Sequence, residues 1–160
     1  MTDTNGTRVI DALVARLSKI TTANGYPVNV KTVEINRSQI TMNIDSLKLP
    51  MIEVIDGEEE YQHETSGHVQ VRQIMIIRFI MPAGTDDKTM ELFKSSIVRC
   101  LYADSFNSGH NSGVGLALSG RNTINFPRML QCSKDVNLVD ANRIWELILE
   151  LNRSAPTWEF

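Results

Sequence analysis

The sequence predicts an α+β fold: a mainly antiparallel β-sheet with two α-helices packed on one face. Three observations carry that prediction. Ile10, Leu13, Leu17 and Ile20 recur at spacings of three and four near the start of the chain. Met90, Phe93, Ile97 and Cys100/Leu101 repeat that period further on. Two long stretches, near 68–81 and 136–151, alternate with period two. The chain has 160 residues. That length suits one domain over 1–160, with 36–49 as an extended insertion and 152–160 as a C-terminal tail.

The first helix is expected over 7–21, with Thr7 as N-cap and Asn24-Gly25 as its stop signal. Val28, Val30 and Val33 then mark a strand near 28–35. Residues 36–49 alternate weakly and read as an extended excursion or hairpin. Pro50 opens a short strand through Met51-Ile52-Glu53-Val54-Ile55, and Asp56-Gly57 reads as a turn. The acidic stretch from Glu58 to Gly67 reads as a long loop. In the strand 68–81, Val69, Val71, Met75, Ile77, Phe79 and Met81 share one apolar face. His68, Gln70, Arg72, Ile74, Ile76, Arg78 and Ile80 share a mixed one, half-exposed or packed on another subunit. A second helix is expected over 86–102, capped by Thr85, Asp86 or Asp87. A loop over 103–115, short strands near 115–119 and 121–126, and a last strand near 136–151 complete the chain. In that last strand Trp145, Leu147, Leu149 and Leu151 alternate with Ile144, Glu146, Ile148 and Glu150. The sustained alternation favours a strand over a helix there.

Composition excludes several function classes. Net charge is −3, and no run of Lys and Arg occurs, so neither a nucleic-acid footprint nor a membrane-surface patch is expected. The longest apolar run, 74–81, contains Arg78 and is too short to span a bilayer. The first residues lack the cationic and apolar regions of a secretory signal. Cys100 and Cys132 read as two ordinary thiols of a reducing compartment. His63, His68 and His110 have no zinc-motif spacing, so neither metal nor cofactor is expected. Gly109-His110-Asn111-Ser112-Gly113 places His and Ser on one loop but forms no nucleophile elbow, and no lysine follows its glycines as a phosphate loop would need. The chain therefore reads as a non-enzyme. Glu58, Glu59, Glu60 and Tyr61 read as a solvated acidic segment or as an electrostatic contact with a partner. Trp158 and Phe160 either fold back onto the domain or insert into a neighbour.

The opening Val9-Ile10-Asp11-Ala12-Leu13-Val14-Ala15-Arg16-Leu17 and Ile20-Thr21-Thr22-Ala23-Asn24-Gly25-Tyr26 resembles the start of phage tail terminator and minor tail proteins of the lambda type. Leu49-Pro50-Met51-Ile52-Glu53-Val54 with its acidic sequel, the strand 68–81, the helix ending Ile97-Val98-Arg99-Cys100-Leu101 and the strand 143–151 are similar as well. The 36–49 insertion and the aromatic tail depart from the family pattern. The resemblance implies a structural virion protein at the head-proximal end of a viral tail, assembled in the host cytoplasm. It implies a hexameric ring that caps the tail tube, ends its polymerisation and offers the head-tail joining surface. Its partners would be further copies of itself, the tail tube protein and a head-tail connector protein, with no membrane. DNA would pass through without specific binding.

Under that reading Glu146 and Glu150 are expected to face the lumen, where acid repels phosphate. Glu58, Glu59, Glu60 and Tyr61 would touch the tube or another partner. Ile74, Ile76, Arg78, Trp158 and Phe160 would lie at the subunit interface. Another connector, such as a head completion or stopper protein, is the nearest alternative. A small monomeric binding module using the acidic segment, and a small enzyme using the 105–113 loop, stand further off.

Overall fold

The computed structural model describes residues 5–36, 44–65, 67–107, 116–117, 123–124, 128–136 and 142–156. The fold is α+β, as the periodicities predict. Helix α1 (Asn5–Leu17) is followed by a 3-10 turn at Thr22–Asn24 and strand β1 (Thr32–Ile35). A second 3-10 turn, Ser46–Lys48, leads through a cis Leu49–Pro50 peptide into the hairpin β2 (Met51–Thr65) and β3 (His68–Met81). Helix α2 (Asp87–Asn107) comes next, then short strands β4 (Leu116–Ala117) and β5 (Thr123–Ile124), β6 (Arg128–Ser133) and β7 (Arg143–Pro156). These strands form one sheet in the order β1-β2-β3-β7-β5-β4, and β6 also pairs with β7. All pairings are antiparallel except β1 with β2.

Both helices bury their apolar stripes on one side of this sheet. Val9, Leu13 and Leu17 from α1 and Met90, Phe93, Ile97, Cys100 and Leu101 from α2 meet Met75, Ile77, Phe79, Trp145, Leu147, Leu149 and Leu151. Burial of these side chains contributes about 1.5–3 kcal/mol each before conformational entropy is subtracted. The Cys100 thiol donates to the Arg16 carbonyl at 3.2 Å, and the Met129 amide donates to the Tyr102 hydroxyl at 3.0 Å. Helix α2 is thereby tied to α1 on one side and to β6 on the other. Its N-terminus is capped by Asp86, whose carboxylate accepts from the Thr89 amide at 2.8 Å.

Several boundaries differ from those expected. Helix α1 begins at Asn5, so Thr7 lies inside it and is not its N-cap, and the helix ends at Leu17. Ile20 is buried just beyond that end, and Gly25 (φ +84°) closes the following 3-10 turn. Val28 and Val30 are buried but precede β1. Helix α2 runs to Asn107, further than its apolar stripe. Strand β7 starts later than predicted and continues to Pro156, into the segment expected to be a tail.

The largest correction concerns Asp56-Gly57 and the acidic segment. Neither is a turn or a loop. Strand β2 runs straight through both, with register shifts between Asp56 and Glu59 and between Tyr61 and His63. A β-bulge takes up the extra residue and bends the strand while pairing resumes on either side. Gly57 sits where a Cβ would lie 2.6 Å from the Ile74 carbonyl oxygen, so the close backbone approach selects glycine. The chain reverses instead between Thr65 and His68, which pair with each other, and Gly67 takes φ +80°.

Candidate functional site

The sheet face opposite the helices carries the chemistry. Its rungs can be read across β2, β3 and β7. One is apolar: Met51, Ile80 and Ile144, packed with Leu49, Ile44 and Val136. The next is charged: Glu53, Arg78 and Glu146. Ile55, Ile76 and Ile148 follow, then Ile74 beside Glu150, then Arg72 beside Asn152. Strand β6 extends three rungs, setting Ser133 beside Glu146, Gln131 beside Ile148 and Arg128 beside Glu150.

Arg78 lies between two carboxylates. Its Nη1 donates to Glu53 Oε2 at 3.2 Å, and its Nε and Nη2 reach Glu146 Oε1 at 2.9 and 2.8 Å. Asn36 also donates to Glu53, at 3.2 Å. The Arg78 and Glu53 side chains are each only 7% exposed. Buried charges persist only when paired and hydrogen-bonded, and this trio meets that condition. Arg72 makes a second cluster, with Nε 2.9 Å from Glu150 Oε1 and Nη1 3.4 Å from Glu60 Oε2. The hydrogen bond from Arg72 holds the Glu150 carboxyl below the ordinary carboxylate range, with help from Asn152 and from the charge of Arg128.

These pairings set the surroundings of Glu146 and Glu150. Both lie on the face opposite the helices, as the alternation requires, and each is engaged by a guanidinium. Each arginine serves two carboxylates, Glu53 and Glu146 for Arg78 and Glu60 and Glu150 for Arg72, so both clusters stay net negative. Arg78 is likewise a buried partner of two carboxylates. Ile74 and Ile76 are half-buried on the same face. Trp158 and Phe160 lie outside the described residues, as do His110 and Ser112. Glu58, Glu59, Glu60 and Tyr61 are exposed on β2, Tyr61 to 63%, and the Tyr61 hydroxyl donates to Glu59 at 3.3 Å.

Two features escaped the sequence reading. Strand β6 was not anticipated, because its bulge between Met129 and Gln131 breaks the alternation that would have marked it. Arg143 is a clamp with no pattern of its own in the sequence. It grips both Asp135 oxygens at 3.0 and 2.9 Å, Asp87 at 2.6 Å and the Thr85 carbonyl at 3.0 Å. Arg143, Lys94 and Lys134 also stand 4.6–5.9 Å from the Trp145 ring centre, which Phe79 meets edge-on at 5.8 Å. The arginine holds the Asp135 carboxyl below its ordinary value. Burial pushes the Cys132 thiol up, away from the thiolate form that reacts.

Among the described residues, no group of three or more His, Cys, Asp and Glu is arranged to hold a metal ion. No described helix is long and apolar enough to cross a membrane. No family model and no curated protein sequence matches the chain. A chain from the virion of a native gene transfer agent particle is similar in structure, with 12% identity and a TM-score of 0.56 over 92% of this chain and 95% of that one. At that identity the likeness concerns the fold. Over nearly its whole length, this protein has the fold of a chain found in a gene transfer agent virion.

Proposed function

We propose that this protein is a structural component of a phage-type particle and, more narrowly, a tail terminator. In this role it closes into a hexameric ring on the end of the tail tube, stops tube growth and presents the head-joining surface. The observation that supports the structural role is the end-to-end likeness to a chain of a gene transfer agent virion. The narrower role rests on the family resemblance of the α1, β2–β3, α2 and β7 segments. The role is architectural and not catalytic: its strongest charge constellations are arginine–carboxylate clusters on a sheet face, which fix strand register.

Ring formation fits the physics of the fold. A head-to-tail contact repeated by a fixed rotation closes on itself and leaves no surface unmatched. Sheet edges that are hazards in a monomer are covered by the neighbouring subunits. The test is placement on the particle. Purified protein added to growing tail tubes should halt elongation and appear as a ring at one tube end by electron microscopy. Binding to DNA-filled heads with no effect on tubes would replace the terminator reading with that of a head completion or stopper protein.

A further inference from the structure

The Asn24-Gly25 pair sits at the corner between α1 and β1, where hydrogen bonds hold it from several directions. Gly25 takes φ +84°, a conformation that suits glycine, and its amide donates to the Thr22 carbonyl at 3.1 Å. The Asn24 and Tyr26 amides both donate to the Thr21 carbonyl, at 3.0 and 3.2 Å. The Asn24 side-chain Nδ2 donates to the Lys19 carbonyl at 2.8 Å. Arg99 closes the corner from α2. Its Nη1 donates to the Gly25 carbonyl at 3.0 Å, and its guanidinium stands 4.7 Å from the centre of the buried Tyr26 ring.

An asparagine followed by glycine can be attacked by its own main chain, because glycine has no side chain to shield its nitrogen. The Gly25 nitrogen gives up its proton to solvent base and bonds to Asn24 Cγ. The Cγ–Nδ2 bond breaks, and Nδ2 leaves as ammonia. Water then opens the five-membered imide at either carbonyl, giving aspartate or isoaspartate. The balance is one water consumed and one ammonia released. In the folded corner both ends of this reaction are engaged: the attacking amide is bonded to Thr22 and the leaving group to Lys19. Asn24 and Gly25 are exposed to water, so opening of the corner, and not access of water, sets the rate.

We propose that Asn24 is a latent self-modification site, silent while the corner is closed and converted to aspartate and isoaspartate when it opens, with Arg99 governing the opening. Local opening of this kind is separate from global unfolding. The isoaspartyl product lengthens the main chain by a methylene inside the bonds that close the corner, so a modified chain cannot close it in the same way again. The inference is independent of the ring reading, and neither stands or falls with the other.

The test follows residues 20–31, released by trypsin between Lys19 and Lys31, by mass spectrometry after incubation of the full chain in mildly alkaline buffer. Asn29 in the same peptide precedes Val30, whose branched side chain hinders the attack, and fragmentation assigns the conversion to Asn24. In urea that unfolds the chain, Asn24 should convert as fast as in the free peptide 20–31. In native buffer it should convert at least about tenfold more slowly. Arg99→Ala should raise the native rate at least about threefold. Ile77→Val, which loosens the core away from the corner, should leave that rate near the parent's. Equal rates in native buffer and in urea would overturn the guarded corner, and no conversion in urea would overturn the site itself. A native rate unchanged by Arg99→Ala, or raised equally by Ile77→Val, would overturn the role of Arg99.

Discussion

Arg78 shows how a single side chain organises the sheet face opposite the helices. It sits on the central strand and binds Glu53 on one neighbour and Glu146 on the other, so one residue sets the register of three strands. Arg78→Ala would leave two carboxylates with little water and no cation, at a cost of about 3–5 kcal/mol. Urea unfolding of that variant measures the loss directly. Replacing the trio together with apolar residues of similar volume should cost far less, because the desolvation penalty disappears with the charges. A Glu146→Lys change should likewise lower stability before it alters any contact with DNA, since it sets Lys beside Arg78.

Acid should weaken a second set of residue-scale contacts. Asp86, Glu91, Asp135 and Glu150 are all held below their ordinary values, chiefly by hydrogen bonds from Thr89, Lys134, Arg143 and Arg72 respectively. A carboxyl whose folded value is lowered adds stability above its unfolded value and loses it as pH falls through the folded one. Stability should therefore be level above about pH 5 and fall below about pH 4. A pH series of thermal melts checks this, and Glu150→Gln should shrink the fall.

At the scale of elements, the periodic segments were legible and the irregular ones were not. Leu13 and Leu17, the α2 stripe, and the alternations of β3 and β7 each report a buried face directly, because burial on one side imposes the period. The β2 bulge misled the reading because Asp-Gly is also a hairpin signal, and only pairing with β3 distinguishes the two uses. Strand β6 was hidden by its own bulge. The positions of Glu146 and Glu150 on the far face were readable, but their arginine partners were not, since register between distant strands is not written locally. Gly57→Ala tests the account of the bulge. The added Cβ meets backbone that cannot swing aside, so the substitution should cost about 1–3 kcal/mol, read from the shift in the unfolding midpoint. Asp86→Ala should lower the unfolding midpoint as an ordinary loss of a helix cap.

The whole molecule pairs a helix-covered face with a face held by two ion clusters. The central proposal is that identical subunits of this fold close into a ring. The measurement that tests this most directly is solution mass by light scattering across a wide concentration range. The chain weighs 18.0 kDa, and the account predicts a mass that rises with concentration and levels off near six subunits. A mass that stays at one subunit throughout, with and without tail tube ends present, would contradict it.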